Sequence, residues 1–196
     1  AAAGTAAAGA ASGFRTARNG MLAIGVAAAA VVYGSVKAAI SFQTLTTRLV
    51  TSAGEQTSNL ALVRKGILDV SNATGVMADD VAKNMYVVES AGYHGAAGLQ
   101  VLSAATEGAK IEGAEFGTVA NAVTDVLNDY HYTADKAGLA TSQLIKAVAF
   151  GKTNFQNLSS AMKSVLPLSS SLGLKLNDVV GVLANMTGHG MTAQRS

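Results

Sequence analysis

Apolar residues recur every three or four positions along most of the chain, which is the spacing of one stripe on an α-helix. A clear example in the first half of the chain comprises Leu60, Val63, Ile67 and Val70. Ser52 and Glu55 have the spacing of a capping box, in which each side chain accepts a hydrogen bond from a backbone N–H. We therefore expect an amphipathic helix within residues 55–77, with its start marked by this pair.

Three similar apolar triplets follow at intervals of 38 and 39 residues. They are Val81, Met85 and Val88, then Val119, Val123 and Val126, then Leu158, Met162 and Val165. Further helical stretches lie between and after the triplets, around residues 99–109, 136–150 and 177–186, separated by Gly-bearing turns such as AGYHG and SLGL. A period of this length predicts stacked helical hairpins. Pro167 is expected to end or kink the helix that carries the third triplet.

The longest uncharged apolar run, NGMLAIGVAAAAVVYGSV, covers residues 19–36 between basic flanks. As a helix it would be roughly 27 Å long, close to the hydrocarbon thickness of a bilayer. Three interpretations stay open: a membrane-inserting helix, a buried helix in an oligomer, and a signal peptide. In the first case the inserting residues are Met21, Leu22, Ile24, Val26, Val31, Val32, Tyr33, Val36 and Ile40. Close packing of this helix on others would use the small residues Ala30, Gly34 and Ala38.

The composition favours bundled or extended helices over a thick globular core. Apolar residues make up 49% of the chain but lean on alanine, and 21 glycines each weaken a helix by up to about 1 kcal/mol. The predicted fold class is therefore all-α: extended helices and helical hairpins, assembled as a symmetric oligomeric bundle, with one apolar, potentially transmembrane helix. We divide the chain into a low-complexity Ala/Gly segment (1–13), an apolar helix (14–54), an amphipathic helix (55–77) and a further helical region (78–196).

The residues that could carry chemistry are few and scattered. The net charge of +2 is too small to indicate a nucleic-acid surface. His94, His131 and His189 lie far apart with no second ligand at metal-binding spacing, so they are interpreted as turn residues. A helical lytic transglycosylase would need one of Glu107, Glu112 or Glu115 as its general acid, but solvated positions near helix ends explain these glutamates. No catalytic, cofactor-binding or metal-binding residue is predicted, and the chain is expected not to be an enzyme.

A fixed order of sequence motifs can be followed from Ala78 to Arg195. It comprises a helix ending in SAGY, an Ala-rich helix, a helix with AVTDVLN, the stretch NLSSAMKSVLPLSSSLGL, and a closing helix followed by TAQRS. This order resembles the core region of tape measure proteins of long-tailed phages and prophages. The resemblance covers residues 78–196, whereas residues 1–77 carry no comparably specific motif.

The resemblance implies a structural role in a phage tail. Copies of a long helical protein, usually three, run inside the tail tube, set its length during assembly and leave ahead of the DNA at infection. The implied partners are other copies of the chain, tail tube and tail tip or baseplate proteins, phage DNA in passage without sequence specificity, and the host cell membrane. The implied locations are the lumen of the virion tail and, after ejection, the host membrane. The alternative is a bacterial or toxin-like pore-forming helical membrane protein.

Overall fold

A computed structural model describes residues 37–191 of the chain. This range consists of helices and turns and contains no β-strand, which confirms the all-α prediction. The chain divides into two units, Ala1–Gln43 and Thr44–Ser196; the first helix below begins in the first unit, and the remaining helices belong to the second. The helices are α1 (residues 37–52), α2 (Leu60–Thr74), α3 (Ala78–Ser90), α4 (Gly95–Glu112), α5 (Phe116–Asp129), α6 (Ala137–Gly151), α7 (Phe155–Ser171) and α8 (Leu176–Gly188). Short 3-10 turns at Thr57–Asn59 and Ala134–Lys136 lead into α2 and α6.

Helices α2 to α8 form a two-layer array. Each helix packs against the next helix in the chain and against the next but one, so α3, α5 and α7 are neighbours in one layer. The even-numbered helices α2, α4, α6 and α8 are neighbours in the other layer. This nearest-neighbour pattern is that of stacked helical hairpins, as in α-solenoids.

The three apolar triplets lie on α3, α5 and α7, the helices of one layer. All their members are buried except Val165, which is half-buried. The stretches predicted as second helices correspond to α4, α6 and α8. The prediction of repeated helical hairpins is therefore confirmed, and the triplets are the faces by which one layer packs on the other.

Every helix from α1 to α8 is followed by a residue with left-handed backbone. These residues are Gly54, Gly75, Gly92, Gly113, His131, Lys152, Gly173 and Gly190. After α3 the N–H of Tyr93 donates to the carbonyl of Val88, and Tyr132 and Leu174 make the same bond after α5 and α7. This pattern satisfies carbonyls that the helix end would leave without partners. The same turn thus closes α3, α5 and α7, the helices of one layer.

One local expectation is wrong, and a second is wrong in part. Ser52 and Glu55 do not form a capping box, because α1 continues through Ser52 and Glu55 lies in the following turn. Asn59 precedes α2 without a side-chain cap. Pro167 does not end its helix, since α7 runs on to Ser171 with Pro167 inside it, whereas the alternative that it kinks the helix stays a prediction. A helix can tolerate the missing N–H when packing on neighbouring helices stabilises it.

The apolar run and most residues assigned to the membrane lie outside residues 37–191. Of the residues assigned to membrane insertion only Ile40 is described, and of those assigned to close packing only Ala38; both lie on α1, where Ala38 is exposed and Ile40 is 59% exposed. Among the described residues, no helix combines the length and apolar character that a membrane crossing requires. The membrane-inserting and close-packing assignments in residues 19–36 therefore stay predictions.

Candidate functional site

Two carboxylates and an imidazole converge where the α1–α2 connection lies beside the α3–α4 turn. Glu55 comes from the α1–α2 connection, Glu89 from the last turn of α3, and His94 from the position before α4. One potential ligand atom from each lies within 4.8 Å of the other two. Glu55 and Glu89 are only 3% and 1% exposed, whereas His94 is half-buried. The cluster is thus buried at the carboxylates and reaches the surface at the imidazole.

Glu55 is held in place by three hydrogen bonds. Its Oε1 accepts from the N–H of Gln56 (2.8 Å) and from the amide of Asn59 (2.9 Å). Its Oε2 accepts from the N–H of Gly95 at the start of α4 (2.6 Å). Burial alone would raise the pKa of Glu55, but the N–H of Gly95 and the other donors outweigh it and hold that pKa below its ordinary value. The ionised carboxylate therefore ties the α1–α2 connection to the N-terminus of α4.

Glu89 is surrounded differently. No N–H or hydroxyl group of the described residues donates to either carboxylate oxygen, and Glu89 can form a hydrogen bond with Glu55 when one of the two carboxyls is protonated. Burial, followed by the nearby carboxyl of Glu55, raises the pKa of Glu89 to about 8. The Nδ1 atom of His94 is also buried and without a partner within residues 37–191. Buried polar groups are ordinarily hydrogen-bonded, so two such groups in one cluster need an explanation.

Sequence reasoning did not find this cluster, because its members are 34 and 5 residues apart and come from three separate segments. It took the histidines one at a time and treated His94 as a turn residue. One signal was present: Glu89 follows Met85 by four positions and so lies on the buried stripe of α3. A charged residue on a core-facing stripe is uncommon unless it is paired or functional.

The three glutamates considered as general acids do not form one site. Glu107 lies on α4 in a groove of about 580 Å³ against α6, beside Ser103 and Thr141. Glu112 and Glu115 line a different groove of about 310 Å³. Glu115 precedes α5, and its side chain accepts from the N–H groups of Gly117 and Thr118. Partial burial would raise its pKa, but the hydrogen bonds from Thr118 and Gly117 lower it overall, the opposite of what a general acid needs.

The fold places the chain in the class of all-helical repeat structures. The sequence matches the family described as Phage-related minor tail protein over residues 64–196, more than half of the chain, and the chain belongs to that family. It is also 24% identical over 162 residues to a protein of Pneumococcus phage Dp-1 named Tape measure protein. That match covers 83% of this chain but 14% of the relative, so the chain spans a small part of the relative's length. No solved structure matches the chain.

These matches confirm the resemblance to the tape measure family that the sequence motifs indicate. The matched residues 64–196 include most of α2 and all of α3 to α8. The family match therefore covers the hairpin array, and the family is one of phage tail proteins.

Proposed function

We propose that this chain is part of a tape measure protein that lies in the tail lumen and contributes to setting the length of the tail tube. The proposal is carried by the family match over the hairpin array and by the relative named Tape measure protein. The role is structural, and no residue is assigned a catalytic function in it. The location in the virion tail agrees with the family, whereas the lumen itself is part of the proposal.

One repeat adds very different lengths to the protein when it is folded as a hairpin and when it is drawn out into a single helix. Neighbouring helices pack at axis separations of about 8–10 Å, so one folded hairpin lengthens the array by about 10 Å. The same 39 residues as a single straight helix would extend roughly 60 Å. A protein that sets the length of a tail tube must extend along the tube, so each of its residues must add a substantial rise along the tube axis. We infer that in the assembled tail the chain is drawn out into helices, and that the folded array is its compact form.

The proposal extends to infection. Copies of the chain, in the proposed trimer, contact tail tube and tail tip or baseplate proteins, leave ahead of the DNA and reach the host membrane. The uncharged run 19–36, with its small residues Ala30 and Gly34, suits exchange of protein neighbours for lipid. A label fixed near Tyr33 is expected to move from the tail to host-derived vesicles during infection. Label that stays inside the tube would leave the chain with a role in the tail alone.

Removing one complete repeat tests the length-setting role. Residues 114–152 run from just after Gly113 to Lys152 and contain α5 and α6, so their deletion joins α4 to α7 through an equivalent turn. In a phage that encodes the chain, we expect tails shortened by roughly 60 Å, the rise of 39 helical residues. Electron microscopy of purified particles measures the difference directly. Tails of unchanged length would contradict the proposal.

A matched control separates length from folding. Leu127→Ala weakens the same hairpin without changing the number of residues, because Leu127 is fully buried on α5. If the number of residues determines tail length, phage that carry this variant have tails of wild-type length. Shortening by only about 10 Å in the deletion would mean that the array stays folded in the lumen and that other parts of the protein set the length.

A further inference from the structure

The cluster of Glu55, Glu89 and His94 is the most unusual polar feature of the described residues. Glu89 is 1% exposed, and no N–H or hydroxyl group in the part of the chain that the structure describes donates to either of its oxygens. It lies beside a second carboxylate and beside an imidazole whose Nδ1 also lacks a partner there. We propose that these three side chains bind a divalent transition-metal ion, with zinc as the representative ion. This inference does not depend on the proposed role in the tail.

The hairpin repeat provides an internal comparison for the three positions. Glu89 and Asn128 each stand three residues before the left-handed residue of their turn, and Glu55 and Tyr93 each directly follow the left-handed residue two turns earlier in the chain. In the second copy the hydroxyl of Tyr93 donates to Oδ1 of Asn128 at 2.8 Å. The fold therefore accepts a neutral, hydrogen-bonded pair at these positions.

The first copy instead carries two carboxylates. Repulsion between like charges and the burial of an unpaired carboxylate both disfavour this choice unless a cation or proton compensates. The third position holds His94 in the first copy and Thr133 in the second, since each comes two residues after its left-handed residue. A histidine at this position adds a nitrogen ligand where the second copy has a hydroxyl. The first copy thus combines three metal-binding side chains where the second copy has a tyrosine, an asparagine and a threonine.

The donor set and geometry fit a first-row transition metal. Imidazole nitrogen suits zinc, while magnesium and calcium prefer oxygen ligands alone. Bonds of about 2.0–2.2 Å from zinc to nitrogen and oxygen place ligand atoms roughly 3.5 Å apart. The three atoms lie within 4.8 Å of one another, so side-chain rotations that bring them about 1 Å closer would complete the contacts. Glu55 keeps its three donors, because its Oε2 accepts only the bond from Gly95 and has a further lone pair for the ion.

The imidazole of His94 packs beside Gly54. A Cβ atom on Gly54 would lie 3.4 Å from Cε1 of His94, so the ring packs directly against this backbone. The half-buried His94 gives the ion a path from solvent to the buried carboxylates. A bound ion would link the α1–α2 connection, the end of α3 and the start of α4.

The test is a zinc titration of the full chain, free of affinity tag and stripped of metal by a chelator. We expect one Zn²⁺ per chain in competition with a chromophoric indicator, and a rise in Tm on adding it. Glu89→Gln keeps the shape of the side chain and His94→Asn removes the imidazole. Each variant should weaken zinc binding about a hundredfold or more, since even loss of an outer-shell partner costs 10–100-fold.

His189→Asn is the matched control. His189 is exposed, and its Nδ1 lies 2.8 Å from the carbonyl of Asn185, away from the cluster. This variant should bind zinc as the wild type does. Wild-type chain that binds no stoichiometric zinc, or binding that survives in both site variants, would overturn the proposal in favour of a proton shared by the two carboxyls. X-ray absorption of the zinc-loaded wild type, which needs no variant to fold, should show one imidazole ligand, and its absence would also overturn the proposal.

Discussion

Replacing Leu127 by alanine is expected to lower the free energy of unfolding by about 2–5 kcal/mol. Leu127 is fully buried on α5, the helix that packs on α3, α4, α6 and α7. Truncation removes apolar contacts and leaves a cavity where both layers meet, and a close-packed interior relaxes into such a space only partly. Urea unfolding followed by far-UV circular dichroism, with the m-value checked for constancy, measures the loss.

Leu139→Ala provides the comparison for Leu127. Leu139 is a leucine on the adjacent helix α6, but its side chain is 51% exposed. Its truncation should change the free energy of unfolding by no more than about 0.5 kcal/mol. Equal losses in the two variants would show that α5 is not at the centre of the packing.

Replacing Gly98 by alanine is expected to destabilise the array by about 1–3 kcal/mol, although alanine is the better helix former. Gly98 is buried in the first turns of α4. A Cβ atom there would lie 2.5 Å from the carbonyl oxygen of Tyr93 and 2.7 Å from Cε of Met85. Met85 can move its methyl group, but the Tyr93 carbonyl is backbone in the turn that positions His94. Thermal and urea unfolding both report this loss.

Gly181→Ala is expected to change the free energy of unfolding in the opposite direction, in the same fold. Gly181 is exposed on α8, and a Cβ atom there meets nothing within 4 Å among the described residues. Alanine should therefore raise the free energy of unfolding by up to about 1 kcal/mol through helix propensity alone. A Gly98 variant as stable as the Gly181 variant would contradict the close approach of α3, its turn and α4.

The helices and their pairing were predictable because packing imposes a period that is visible in sequence. Met85 and Val123, for example, stand at the centres of stripes that must face the other layer, so their spacing is constrained over two turns of helix. Helix boundaries were less predictable. The capping-box pattern of Ser52 and Glu55 is only four residues long, and the left-handed Gly54 that ends α1 gives no comparable periodic signal.

The cluster could not be predicted from local spacing, since its residues meet only when α3 and α4 pack beside the α1–α2 connection. Glu55 and Gly95 are joined by a hydrogen bond across 40 positions of sequence. An alignment of the hairpins on their left-handed residues would have placed Glu89 beside Glu55, as Asn128 is beside Tyr93. That alignment requires the turn conformations, which sequence periodicity does not provide.

The packing of each helix on neighbours no more than two elements away also determines how the array responds to mechanical load. Such a body has few contacts between distant parts of the chain, so its topology is simple and its folding is not slowed by long-range pairing. A pull on one end separates the terminal hairpin from the adjacent one while the interior interfaces stay intact. The resistance at any moment is that of a single interface, so the array can be unravelled one hairpin at a time through a passage too narrow for the folded body.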